Sequence, residues 1–377
     1  MRPLRGLTWS HRRGFGVLER LAEAPPPGLT EVAWDRQALS GFESAPIEAL
    51  ADRYDLLVVD HPGLGEAARV GALLALEDLV EVDLLASLRA ATVGASFDSY
   101  RLAGRTLAFP IDADTQLGVV EATVSDCPTS LDEVRSLAAE LPTLLCLGGP
   151  HALLMFSALC AALGAPPAGD GDRFVPVEVA EAAFAFLAEL LRCSVARRLD
   201  LDPIDVLDAM ARPDGPAYCP LVYAYLGYQL GQFGARRLRF VGAPVGPSGH
   251  RASVLGGTGL ALTRSCGDPA AAVGYARTLL ATDVQRELYF EEGAHSVLRA
   301  IWEDAEVGTW TNGFYREARA SLDGAWLRPR FAGYVSFQSE GAEIVRQALR
   351  GERTAAAACA ALDAAFAAAP APAGTAR

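Results

Sequence analysis

Apolar positions in residues 4–63 switch repeatedly between two periods. LRGLTW (4–9) reads as a short strand, and GFGVLERLAEA (14–24) as a helix with its apolar residues on one face. The turn PPPG leads to LTEVAWD (29–35), whose alternation predicts a second strand. FESAPIEALADR (42–53) predicts another helix, and YDLLVVDHPG (54–63) a fully apolar strand that ends in a polar loop. Strand, helix, strand, helix, strand is the order of a parallel sheet covered by helices.

Further on, TLAFPI (106–111) and QLGVVEA (116–122) read as two strands. Pro110, Asp112, Asp114 and Thr115 between them form a crossover. Asp112 and Asp114 are read as facing opposite sides of that extended segment, so that at most one lines a cleft. A mainly helical region follows to about residue 240, including EVAEAAFAFLAELLRCSVARR (178–198) and PLVYAYLGYQLGQFG (220–234). LRFVGAPVGPSGHRASVLGGTGLALT (238–263) reads as strand, glycine-rich loop and strand. Helices dominate from Pro269, and the Ala/Pro tail at 366–377 is expected to fray.

The longest uncharged stretch, 142–167, is broken by Gly148, Gly149 and Pro150. The remaining ALLMFSALCAAL is too short for a hydrocarbon layer of roughly 30 Å, so a buried helix is expected, not a membrane span. The length of 377 residues predicts two domains. A net charge of −13 argues against nucleic acid or an anionic membrane as main partner. The seven cysteines form no CxxC pair and, being odd in number, fit no complete disulfide framework. None stands in metal-ligand spacing with a histidine, so neither metal nor cofactor is expected.

In parallel sheets ligands sit beyond the carboxyl ends of the strands. That rule selects Trp9, His11 and Arg12 after the first strand, Asp35 after the second, and Asp60 with His61 after the third. VGPSGH and LGGTGL lack the features of a phosphate-binding loop. They read as turns flanking strands, or as placing the amides of Gly256 and Gly257 against a ligand. WTNGFYREARASLDGAWLRPRFAGYVSFQ (310–338) is rich in aromatics and arginine. It reads as core packing or as a stacking platform for a sugar face, with Arg328 and Arg330 supplying hydrogen bonds.

The order of these pieces resembles the family 1 extracellular solute-binding proteins, the maltose-binding-protein-like receptors of ABC importers. The strongest carrier is residues 255–304, where Gly256, Gly257, the DPAAA helix start, Gln285 and Gly293 fall where the family pattern expects them. TLAFPIDADTQ resembles the family's first interlobe crossover and YDLLVVDH its third strand. The resemblance spans roughly residues 5–350.

It implies an α/β, two-lobed periplasmic-binding-protein-like fold of type II, with the ligand cleft between lobes. The first lobe would be 1–110 plus 249–300, the second 111–248 plus 301–363, and 364–377 a flexible tail. The cleft would be lined by Trp9, His11, Arg12, Asp35, Asp60, His61, Asp112, Gly256, Gly257, Trp310, Arg328 and Arg330. The implied cargo is a sugar, and the cationic share of these residues adds a sugar acid or carboxylate. An ABC permease is the implied partner of an exported protein. The first residues show no apolar signal segment. With the unpaired cysteines, this predicts a cytoplasmic protein as written, or a periplasmic or extracellular one if a leader is missing. The competing expectation is a cytosolic enzyme on the same fold, with His11 or His61 as general base.

Overall fold

The computed structural model describes residues 3–169 and 173–369. Nine strands are present among them. They are β1 (Leu4–Trp9), β2 (Val32–Gln37), β3 (Leu56–Val59), β4 (Arg101–Leu102), β5 (Arg105–Thr106), β6 (Phe109–Glu121), β7 (Tyr218–Tyr223), β8 (Leu238–Val241) and β9 (Leu255–Leu262). β4 and β5 form a small hairpin, and the other seven build one sheet in the order β2-β1-β3-β9-β6-β7, with β8 also on β6.

The expected parallel start is present. β1 lies between β2 and β3 and runs parallel to both. The helix Arg12–Glu23 connects β1 to β2, and two short helices, Leu39–Ser44 and Ile47–Leu50, connect β2 to β3. The single helix expected at 42–53 is thus broken at Pro46, whose ring cannot continue a helix. β3 is buried along its whole length. Its alternation divides the packing: Leu56 and Val58 enter the main core, while Leu57 and Val59 enter a smaller cluster on the other face. Beyond β3 the sheet turns antiparallel, through β9 and then β6.

β6 joins the two halves of the molecule. Its first part, Phe109 to Thr115, pairs with β9, and its second, Gln116 to Glu121, with β7 and β8. The two separate strands expected here are one strand of 13 residues. The polar centre does not interrupt it because the side chains of Asp112, Asp114 and Thr115 are bonded in the interior. A register shift falls between Pro110 and Asp112, where a proline cannot donate to the ladder.

YCPLVY, expected within a helical region, is instead β7 and fully buried. Its β-branched and aromatic residues suit a central strand, and only Leu226–Leu230 of the following residues is helical. The uncharged stretch forms the helix His151–Ala162, all twelve residues of which are buried. It packs among the helices Val177–Cys193 and Tyr334–Leu349. Among the described residues no helix is long and apolar enough to cross a membrane.

The aromatic stretch at 310–338 resolves into core. Phe314, Tyr315, Phe331, Tyr334 and Phe337 are all buried. The last helix, Ala355–Ala368, packs against Tyr334–Leu349 and Val177–Cys193. Phe366 is fully buried within 5.2–5.6 Å of the rings of Phe174, Phe331 and Phe337. Packed chain therefore continues through the start of the expected tail, whose positions 370–377 lie outside the described residues. Phe366→Ala should lower unfolding free energy by about 3–5 kcal/mol in a denaturant titration, the cost of emptying an aromatic core site. A frayed segment would give no change.

Candidate functional site

Where β1, β3, β6, β7 and β9 converge, a cleft encloses about 420 Å³, part of it open to solvent. Its framework is a buried arginine. Arg13 stands one turn before Val17 and two before Leu21, on the buried face of the helix Arg12–Glu23. Its Nη2 and Nε donate to the two carboxylate oxygens of Asp112 (2.6 and 3.2 Å). Its Nη1 donates to Asp114 (2.7 Å) and to the carbonyl of Ala224 (2.9 Å). The guanidinium also lies 4.9 Å from the ring centre of Tyr225. Burial opposes the charge, but Asp112 and Asp114 outweigh it and raise the Arg13 pKa.

Asp112 and Asp114 therefore share a partner and a side. The expectation that they face opposite ways fails on strand geometry: residues two apart point to the same face. Asp114 reaches the cleft wall, while Asp112 sits behind Arg13.

A second arginine is neutralised in the same manner. Both carboxylate oxygens of Asp60 accept from Arg328 Nη2 at 2.8 Å, and Gln338 accepts from Nη1 at 3.2 Å. Burial pushes the Asp60 carboxyl up, but Arg328 and His61 pull it down to about 2. Both Asp60 and Arg328 line the cleft. Four carboxylates, Glu43, Asp60, Asp112 and Asp114, thus stand against two arginines, and the expected cationic cleft is not formed.

The aromatic wall begins at Trp9, whose indole stacks on Phe42 (5.6 Å) and on His11 (5.7 Å) and meets the edge of Tyr225. Trp9 Nε1 is buried with no partner in the protein. The opposite wall is the β9 backbone at Gly256 and Gly257. A side chain at Gly256 would strike the ring of Tyr223 at 2.6 Å. At Gly257, with φ +108°, it would strike the carbonyl of Asp112 at 2.5 Å. These glycines lie on the strand, not in a turn.

Of the expected site residues, Trp9, Asp60, Gly256, Gly257 and Arg328 come together at the cleft, with Asp112 directly behind. The others do not. His11 caps the first helix through Nδ1, which accepts from the Arg13 amide, and packs among Tyr225, Tyr228 and Phe233. Burial, then the charge of Arg13, lowers its pKa to about 4. His61 is fully buried behind Asp60, edge-on to Tyr100, and burial followed by Arg328 brings it to about 4. Neither histidine presents a base to the cleft.

Arg12 is bonded to Glu292 at 2.8 Å with its side chain half exposed. Asp35 lies on the edge strand and accepts from Tyr54. Trp310 packs on Phe290 beneath Arg286, and Arg330 donates to the carbonyl of Asp98 at 2.6 Å. The strand-end rule leads to the cleft at β1 and β3, whereas β2 is the sheet edge and Asp35 lies away from the cleft.

The sequence reading counts Arg13 among the cationic residues of the cleft and weighs Asp114 against Asp112, but it passes over Phe42, Glu43, His151, Tyr223 and Tyr225 as site residues. Arg13 carries a usable signal, since it shares a helical face with Val17 and Leu21 whereas Arg12 does not. Tyr223 and Tyr225 were hidden by the helical reading of that stretch. His151 and Glu43 meet only through tertiary packing. Among the described residues no group of His, Cys, Asp and Glu could hold a metal ion, and all seven cysteines are free.

The fold has structural counterparts. The maltose-bound MalE3 of T. maritima superposes with a TM-score of 0.80 at 17% identity, over 96% of this chain and 98% of that one. An ABC transporter solute-binding protein of Agrobacterium radiobacter K84 in complex with ribitol gives 0.79 at 17% identity, over 97% and 99%. One from Thermotoga lettingae TMO bound with alpha-D-tagatose gives 0.80 at 16% identity, over 97% and 99%. The fold is that of the ABC-transporter solute-binding proteins. No family model matches the chain, and no curated protein matches its sequence. The solute-binding fold, two α/β lobes around a cleft, is the one that the order of motifs resembled.

Asp114 sits on β6, where it pairs with Gly256 of β9. Burial pushes its carboxyl up to about 7, against the pull of Arg13. A carboxyl that binds its proton more tightly in the folded state adds stability below its ordinary 3.8, and that stability is lost as pH rises through about 7. The opposite contribution of Asp60 lies below this window, between 3.8 and about 2. Melting temperatures measured between pH 3.8 and about 7 should fall more steeply in the wild type than in Asp114→Asn. Parallel profiles would show that Asp114 ionises normally.

Proposed function

We propose that the protein binds a small, neutral, hydroxyl-rich ligand, a sugar or polyol, as the substrate-binding component of an ABC-type importer. The observation that carries this reading is the pairing of both cleft arginines with carboxylates beside an aromatic wall. A carboxylate ligand would have to displace Asp60 from Arg328 or the two aspartates from Arg13. Breaking a buried pair costs about 3–5 kcal/mol. A neutral ligand leaves the pairs intact and accepts or donates hydrogen bonds at their free lone pairs and at the glycine backbone, while an apolar ring face rests on Trp9.

We assign the lobes to 1–110 plus 249–300 and 111–248 plus 301–363, with the helix Ala355–Ala368 completing the second. Support comes from β6, which pairs with β9 at one end and with β7 and β8 at the other. The neighbours carry maltose, ribitol and tagatose, all uncharged and polyhydroxylated. A ligand that contacts both lobes favours the closed arrangement, and closure is the signal that a permease partner would read.

A thermal-shift panel of sugars, polyols, sugar acids and amino acids, each recovered and checked for chemical change, tests the proposal. A neutral sugar or polyol at 100 times its dissociation constant should add about 2.7 kcal/mol and return intact. Trp9→Ala should weaken that ligand at least about tenfold, or 1.4 kcal/mol. A shift produced only by carboxylates, or a ligand returned altered, would overturn the reading.

A further inference from the structure

One hydrogen bond in the cleft joins parts of the chain that the sheet does not hold together. His151 Nε2 lies 2.9 Å from Glu43 Oε1, and both residues line the cleft. Glu43 belongs to the helix Leu39–Ser44, which follows β2 and packs on β1. His151 is the first residue of the helix His151–Ala162, which packs among the helices of the other half. The pair is well enclosed, with side chains 12% and 1% exposed.

Each partner is held in place from behind. Arg346 donates to the carbonyls of Leu147 and Gly149, fixing the turn that presents His151, and the edge of Tyr223 meets its ring at 5.8 Å. On the other side Phe42, next to Glu43, is stacked on Trp9. Of the ion pairs at the cleft, Arg13–Asp114 has its carboxylate on β6 itself, and Arg328–Asp60 is also placed differently. Asp60 directly follows β3, and Arg328 stands two residues after Trp326, which is bonded to β9 at Leu255. That pair adjoins the strands through which the halves connect. Glu43 and His151 sit on helices off the sheet.

We propose that Glu43 and His151 form the gate of the cleft: their bridge parts to admit a ligand and re-forms over it, restricting the ligand to one small enough to lie wholly inside. His151 Nδ1 is buried with no partner in the protein, and a ligand hydroxyl donating to it would remove the cost of that orphan atom. A bridge of this kind also holds the empty protein closed, because it needs no ligand to form.

The closure arm of the test needs no ligand. Small-angle scattering of the ligand-free, full-length protein should give a larger radius of gyration for Glu43→Gln and for His151→Gln than for the wild type. The exchanged pair Glu43→His with His151→Glu should restore the compact value, which a purely structural loss would not. The size arm rests on the sugar-binding reading and uses D-mannitol, ribitol, maltose and maltotriose. Maltotriose should bind the wild type at least about tenfold more weakly than the best of the smaller probes, and Glu43→Ala should narrow that gap. Single variants as compact as the wild type, or maltotriose bound by the wild type as tightly as the smaller probes, would overturn the gate. If none of the four probes binds, sugar binding fails, and the gate stands or falls on the scattering alone.

Discussion

The cleft depends on one buried guanidinium. Arg13 comes from the first helix, its two carboxylate partners from β6, its carbonyl partner from the segment after β7, and its aromatic neighbours from Trp9 and Tyr225. Three parts of the chain, distant in sequence, are thus fixed around one planar fork. Taking a guanidinium out of water is costly, and hydrogen bonds to charged partners at nearly every N–H offset that cost. Lysine could not replace it: a point charge cannot bond two aspartates and a carbonyl in one plane while lying against a ring.

The same constraint explains why β6 is continuous. A strand carrying Asp112, Asp114 and Thr115 through a protein interior would be broken if these side chains were unsatisfied. Arg13 takes the aspartates and Ser253 bonds to Thr115 and to the carbonyl of Gln116, so the backbone ladder runs on from β9 to β7. The strand that connects the two halves is therefore also the strand that presents Asp114 to the cleft. Polar residues in its middle are part of the site and not a loop between strands.

Pairing of the arginines also sets what the cleft can recognise. Counted along the chain, His11, Arg12, Arg13, His61, Arg328 and Arg330 suggest a basic site. In the fold, Arg12 and Arg330 bond elsewhere, the histidines are driven toward neutrality by burial, and Arg13 and Arg328 meet carboxylates. What remains is a set of oriented, nearly balanced dipoles beside an indole and a glycine-lined strand. Such a surface suits hydroxyl groups better than a formal charge.

The sequence by itself determined the elements whose signal is local. The parallel start β1 to β3, the buried helix after Pro150, the strand at 255–262 and the ordering of motifs that matched the solute-binding fold all rest on periodicity or on residue types within a few positions. The ends of β1 and β3 followed from the rule that ligands gather at strand termini, which gave Trp9 and Asp60. Tertiary structure decided the rest, because partnership and burial are properties of residues far apart. Whether Arg12 or Arg13 turns inward depends on which helix face meets the sheet. Whether YCPLVY is strand or helix depends on β6 offering it an edge. Glu43 and His151 are 108 positions apart, and only the folded chain places them 2.9 Å from each other.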